Sequence, residues 1–471
     1  MCTNRMDYEG VIMQELTKVL EWIRDAVWGV PTMVLLLGTG LLFTVRLKGM
    51  PFLRFPRAVK MIFEKEEGAG GEVSPFASLC TSLAATIGTG SIVGVATALR
   101  IGGPGALFWM WVSALLGMGT KYAESVLAVK YRTRDENGHY AGGPMYYIQN
   151  GMGKKWIPLA KAFAVFGLIT ALLGCGTFPQ VNAITESMNS LFHIPTWVSG
   201  LVIALLSGAV ILGGIKSISK VAEFVVPIMA VFYIGGAIAV LGINIETIPA
   251  VFSEIFSAAF KPASVAGGVT GTVVVSVMTS MRTGIARGIY TNEAGLGSSP
   301  IVSASAMTNS CVRQGLISMT GVFFTTIVVC TMTGLVILSS GLLGTSTLDG
   351  SVLASRAFSI SLPGNIGEYI VTIGIVFFSF TTIIGWCYYG ERCAVYLTGG
   401  TKVITGYKSV YILMLAIAPF LALDAIWTLA DITNALMVFP NLIALLALRK
   451  DVVVETEQFW KEEKDKKLKN S

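Results

Sequence analysis

The sequence predicts an all-α polytopic membrane protein of about eleven spans, and three observations carry that expectation. Apolar residues fill 53% of the 471 positions and charged residues only 13%, against about 25% charged in an ordinary soluble domain. So little charge could not cover the surface of a soluble protein of this length. The apolar residues fall in segments of roughly 17–25 residues, the length a helix needs to cross hydrocarbon. Two of these segments are interrupted by small polar residues, at corresponding places in the two halves of the chain.

Residues 1–30 are polar and mixed in charge, with an amphipathic stretch from Ile12 to Val27. No basic region leads into a short apolar core as in a signal peptide, so an interfacial segment is expected. A single transmembrane domain is expected over residues 31–448. Its spans are placed at Pro31–Val45, Pro75–Leu99, Gly103–Val129, Trp156–Thr177, Thr196–Ile215 and Val221–Ile243. The remainder lie at Val265–Thr283, Leu316–Gly341, Ile366–Tyr389, Ser409–Leu423 and Ala425–Leu448. With the first span (31–45) set aside, the others divide into two sets of five, residues 75–243 and 265–448, each opened by an interrupted member. Residues 449–471 read as a charged cytoplasmic tail.

The net charge of +6 sits in short loops rather than on a nucleic-acid-binding face. Alternate loops, at Arg46–Lys65, Lys130–Lys155, Lys216–Lys220, Arg282–Arg313 and Arg392–Lys408, hold most of the lysine and arginine, and the tail adds Lys461–Lys469. The opposite loops offer little beyond Arg100, Lys261 and Arg356. An excess of Lys and Arg marks the cytoplasmic side, so the C-terminus is expected inside and the N-terminus outside. The 7 cysteines lack metal-ligand spacing, and only His139 and His193 exist. A histidine-rich metal site is excluded, and no nucleotide-binding Gly-x-x-x-x-Gly-Lys-[Ser/Thr] loop is present.

The first interruption is Ala84-Ala85-Thr86-Ile87-Gly88-Thr89-Gly90-Ser91. Each glycine costs roughly 1 kcal/mol against alanine inside a helix, and the pair around Thr89 favours a break. Unwound backbone within a bilayer is tolerated where it is buried in protein or lines a cavity. A break offers carbonyls to a cation and a fresh helix N-terminus to a carboxylate. The second is expected at Ser276–Gly284, followed by Gly288–Ser298. Tight helix packing is the alternative reading of such glycines. Lys121, Glu124, Glu186, Glu223, Asp424 and Asp431 lie in or near spans, where ionisable groups are costly. Lys121 and Glu124, three apart on one helix, either pair with each other or serve function. No acidic residue lies within the first break.

Several blocks resemble the alanine or glycine:cation symporter family. Gly102-Gly103-Pro104-Gly105-Ala106-Leu107-Phe108-Trp109-Met110-Trp111 is the most specific; Gly88-Thr89-Gly90, Ala141–Tyr147, Thr291–Pro300 and Gly385–Glu391 extend it. The resemblance covers about residues 30–445 and implies the amino acid–polyamine–organocation superfamily. The implied fold is similar to the bacterial leucine transporter, with a 5+5 inverted repeat preceded here by one extra span. It implies sodium-coupled uptake of alanine or glycine across the plasma membrane, with no organic cofactor. Gly88, Thr89 and Gly90 would receive the substrate carboxylate, while carbonyls near Thr86 and Thr279–Thr283 face its amino group. Gln180 would line the pocket and Trp386 close it. Sodium would take the carbonyls of Ala84, Ile87 and Phe378 with the hydroxyls of Thr381 and Thr382; a set of oxygens suits a hard cation. Ser91 stands where the resemblance leads one to expect asparagine, a stronger ligand, so a second sodium site is not implied. A proton-coupled symporter is the nearest rival expectation and an ion channel a more distant one.

Overall fold

The computed structural model describes residues 18–64, 66, 68–266, 272–421 and 424–469. The beginning of the amphipathic stretch, part of the segment expected to span from Val265, and the last two residues lie outside the described residues. Seven of the described helices are long and apolar enough to cross a membrane: Lys18–Arg46, Lys154–Phe192, Gly214–Ile243, Cys311–Ser339, Ile366–Thr398, Val403–Phe420 and Thr428–Ala447.

In chain order, α1 (Val30–Arg46) is followed by a broken pair, α2 (Pro75–Thr86) and α3 (Val93–Gly102). Next come α4 (Gly105–Lys130), α5 (Ile157–Leu173), α6 (Phe178–Phe192), α7 (Thr196–Leu212) and α8 (Gly214–Ile243). After α9 (Ile248–Phe260) a second broken pair follows, α10 (Val277–Asn292) and α11 (Pro300–Ser303). The chain ends with α12 (Cys311–Ser339), α13 (Gly350–Ser361), α14 (Ile366–Thr398), α15 (Val403–Ile417), α16 (Asp424–Ala447) and α17 (Arg449–Lys469). A small antiparallel hairpin, β1 (Thr133–Arg134) and β2 (Tyr140–Ala141), interrupts the loop after α4.

Side-chain periodicity explains how these helices sort between lipid and core. On α8 the exposed apolar residues Phe224, Val231 and Ile238 recur every seventh position, giving one lipid-suited stripe. Its other face buries Val226, Met229, Tyr233 and Val240. By contrast α4 buries almost its whole C-terminal half, Gly117–Val129, including the charged Lys121 and Glu124.

The structure corrects three boundaries. The expected span at Trp156–Thr177 continues, through a kink at Gly174–Thr177, into α6. The span expected at Val265–Thr283 starts as a strand, with Ala263–Ala266 pairing Thr272–Val275; the β-branched Thr-Val-Val-Val run suits extended backbone, and helix begins only at Val277. The span expected to stop at Tyr389 runs on to Thr398, because Glu391 and Arg392 are buried in ion pairs rather than facing solvent. Arg392 contacts Asp135 at 2.8 Å and Glu391 at 3.1 Å, and Lys408 reaches Glu391 at 3.2 Å. The tail, finally, is helical over Arg449–Lys469 and held to the bundle: Lys130 pairs with Glu455 at 3.1 Å and Arg57 with Glu463 at 3.1 Å.

Candidate functional site

The first break lies where it was expected. Ser74 caps α2 by accepting the Ala77 N–H at 3.0 Å, with Pro75 in the first turn. The helix stops at Thr86, Ile87 leaves helical geometry, and Gly88 is extended before a single 3-10 turn over Thr89–Ser91. Glycine is required at Gly88 because a Cβ there would lie 2.5 Å from the Thr382 Oγ1 and 3.3 Å from the Gln180 Oε1. One at Gly90 would press on Tyr290 at 3.0 Å.

The second break is not at Ser276–Gly284, where Ser276 caps α10 and Val277–Gly284 is continuous helix. It falls at Glu293–Ser299. Glu293 adopts a left-handed conformation (φ 55°), as do Gly295 (φ 93°) and Gly297 (φ 79°). Two buried charges on α4 hold this segment open. Lys121 Nζ donates to the Asn292 carbonyl at 3.0 Å. Glu124 Oε1 accepts the N–H groups of Gly295 (3.0 Å) and Gly297 (3.1 Å) and the Asn441 amide at 2.6 Å. Lys121 and Glu124 thus each serve the unwound backbone instead of forming an ion pair with one another. Breaking α10 frees polar backbone groups whose burial without partners would be costly, and these two side chains supply the partners.

A third interruption, Gly174–Thr177 between α5 and α6, completes the site. Gln180 bridges two of the three breaks: its Oε1 accepts the Thr89 N–H at 3.3 Å and its Nε2 donates to the Cys175 carbonyl at 3.1 Å. The Tyr411 hydroxyl lies between the carbonyls of Gly176 (2.6 Å) and Ile383 (2.7 Å), tying the kink to α14.

Between these segments is a narrow cavity of about 10 Å³, lined by residues that include Thr86, Gly88, Gly90, Gln180, Thr382 and Trp386. That is room for about one water. Five of these six were expected substrate residues, and the sixth, Thr382, was expected as a cation ligand. Thr89 takes part through its N–H to Gln180. Thr279 and Thr283 do not reach the cavity. They line a neighbouring vestibule of about 360 Å³ with Arg24, Asp25, Arg282 and Asp431, because α10 stays helical through them. Sequence reasoning missed Tyr290, Glu293, Asn434 and Cys175, which with Ala85 complete the lining. A signal for Glu293 was present: Gly295-Leu296-Gly297 repeats the Gly-x-Gly spacing of Gly88-Thr89-Gly90.

The expected cation residues meet where α14 crosses the first break. Thr382 Oγ1 donates toward the carbonyls of Ala84 (3.1 Å) and Phe378 (2.9 Å), joining the two helices. Gly385 permits this approach, since a Cβ there would lie 2.8 Å from the Ala85 Cβ. Thr381 Oγ1 also contacts the Phe378 carbonyl at 3.0 Å but lies 3.7 Å from the Met229 sulfur on α8. Ile87 is buried at the end of α2. The Ser91 side chain is buried beside Cys330, while its carbonyl accepts from Thr333 at 2.9 Å.

Broken helices around an enclosed small cavity, within a bundle of membrane-spanning length, define a membrane transporter. The fold is shared with the crystal structure of MhsT in complex with L-phenylalanine, at a TM-score of 0.60 and 14% identity, covering 83% of this chain and 93% of that one. The chain belongs to the sodium:alanine symporter family, whose profile matches residues 13–471. It is 45% identical over 452 residues to the sodium/alanine symporter AgcS of Methanococcus maripaludis, covering 94% of this chain and 97% of that protein. An uncharacterized transporter of Haemophilus influenzae is 51% identical over 447 residues, covering 94% and 96%.

Proposed function

We propose that this protein carries alanine or glycine together with sodium by alternating access about the cavity. The observation that carries the reading is the crossing of α14 over the first break. There Thr382 draws the Ala84 and Phe378 carbonyls together, and the cavity opens directly beside them. Backbone carbonyls and threonine hydroxyls are ligands for a hard cation. Sodium bound between these carbonyls, with the Thr382 hydroxyl turned to offer its lone pair, would order the half-helix that offers its N-terminus to the substrate carboxylate. The Thr89 N–H is already held by Gln180, and the Gly90 N–H has no partner among the described residues. Trp386, 1% exposed and stacked edge-on to Tyr389 at 5.5 Å, limits the side chain that fits. The two broken pairs, α2/α3 and α10/α11, are the matching members of a 5+5 inverted repeat. Counting broken and less apolar helices makes about eleven spans, with the N-terminus outside and the C-terminus in the cytoplasm of a cell whose plasma membrane houses the protein.

Uptake of labelled alanine into proteoliposomes, with an inward sodium gradient and with potassium in its place, tests the proposal. Saturable uptake that needs sodium is expected; equal uptake in both removes sodium coupling. Proton coupling is the second reading, and the buried Glu293 carboxyl beside the cavity favours it. A proton gradient that drives uptake at zero sodium would decide for it.

A further inference from the structure

We infer that Glu293, with Asn434, is the receptor for the substrate's ammonium group, so the site selects amino acids with a free, protonated α-amine. This inference rests on the proposed transport of small amino acids and deepens it.

Glu293 is 2% exposed and occupies the first residue of the second break, in the left-handed conformation that ends α10. Its Oε2 accepts the Ser298 hydroxyl at 2.5 Å, and its carboxylate makes no salt bridge within 4 Å among the described residues. Lys121 donates to the neighbouring Asn292 carbonyl and reaches Glu293 only by longer-range attraction, and Trp386 is a further polar neighbour of the carboxylate. A buried carboxylate without a cation in direct contact is costly, and a site that must receive a cation provides a reason for one. Asn434 makes the second observation: it is 1% exposed, lines the same cavity, and its Oδ1 has no hydrogen-bond partner. Both groups therefore present acceptors to the cavity from the second half of the chain. The Gly90 N–H of the first break, without a partner among the described residues, presents a donor from the opposite half. A zwitterion satisfies the two sets at once: its carboxylate on the Gly88–Ser91 turn, its ammonium between Glu293 and Asn434. A simple carboxylate leaves the acceptors unpaired, and an acidic side chain adds a second negative charge beside Glu293. Sites built around hydrogen-bonding a group reject analogues that lack it far more strongly than apolar pockets reject a missing methylene.

The test measures alanine uptake kinetics and ligand-induced thermal stabilisation in purified wild type, Glu293→Gln, Glu293→Asp and Asn434→Ala, each checked for monodispersity. Loss of a charge-assisted bond to the ammonium is expected to raise the alanine KM of Glu293→Gln by roughly 10–150-fold, with partial recovery in Glu293→Asp and a smaller rise in Asn434→Ala. Propionate and N-acetylalanine are expected not to stabilise the wild type. If Glu293→Gln fails to fold, Asn434→Ala and the analogue series still decide. An unchanged KM in Glu293→Gln, or stabilisation of the wild type by propionate equal to that by alanine, overturns the inference while sodium-driven transport stands. Glu293→Gln that loses pH dependence yet keeps its alanine KM assigns the residue to protons instead. Wild type that binds no amino acid overturns the transport reading and this inference together. Wild-type transport indifferent to sodium overturns only the coupling.

Discussion

Thr382→Ala isolates the cation half of the site. The hydroxyl lies 3.1 Å from the Ala84 carbonyl and 2.9 Å from the Phe378 carbonyl, and one such bond is worth about 1 kcal/mol net. In the sodium-bound form the same oxygen becomes a ligand to a full charge, and contacts to charged groups are worth about 1.5–3 kcal/mol. Alanine removes both, so sodium affinity changes by the difference, about 0.5–2 kcal/mol, a factor of roughly 2–30. Sodium titration of alanine uptake at saturating alanine reads the shift directly. Thr382→Ser keeps the oxygen and is expected to stay close to wild type. A Thr382→Ala protein that folds, transports, and keeps its sodium half-saturation unchanged would refute the placement of sodium at this crossing.

Three other outcomes follow from the same geometry. Shortening Trp386 to Leu relieves the limit it sets on the cavity, and the preference for alanine over glutamine is expected to fall by roughly tenfold; competition uptake with no change in preference would remove Trp386 from selectivity. Asp135, in the hairpin turn, gives the second. Burial opposes its charge, but the Arg392 guanidinium and the N–H groups of His139 and Asn137 outweigh that and hold the carboxyl below its usual range. Because its folded-state value is depressed, its stabilisation is present above the unfolded value of about 3.9 and is lost as pH falls toward the folded one. Asp135→Asn is expected to cost about 2–4 kcal/mol at neutral pH, less than for an isolated buried pair because Arg392 keeps Glu391. The gap in thermal stability should narrow below about pH 4; a gap that stays constant with pH would show that the charge is not its source. Single cysteines at the exposed Glu21 and Lys464 in a cysteine-free background should label from outside and from the cytoplasm respectively, and labelling of both from one side would overturn the opposed termini.

Sequence by itself determined the membrane class, most helices and the first break, because these depend on local quantities: hydropathy over a span length, and glycine's poor helix propensity. Gly88 and Gly90 announce their break in this way. It also singled out Thr382 and Trp386, through a family resemblance rather than through any local signal. Tertiary structure decided the rest. Ser276–Gly284 and Glu293–Ser299 are both rich in small polar residues, and propensity alone does not choose between them. The choice falls to Lys121 and Glu124, which lie on another helix over 160 positions away and supply partners to the unwound backbone at Asn292, Gly295 and Gly297. No window of sequence shows that pairing, so Thr279 and Thr283 were expected at the site and Glu293 was not. The end of α14 was hidden likewise: Glu391 and Arg392 look like a solvent boundary until Asp135 and Lys408 arrive to neutralise them. Charges and breaks in a membrane bundle are stable only with partners, and those partners come from parts of the chain that meet only in the folded protein.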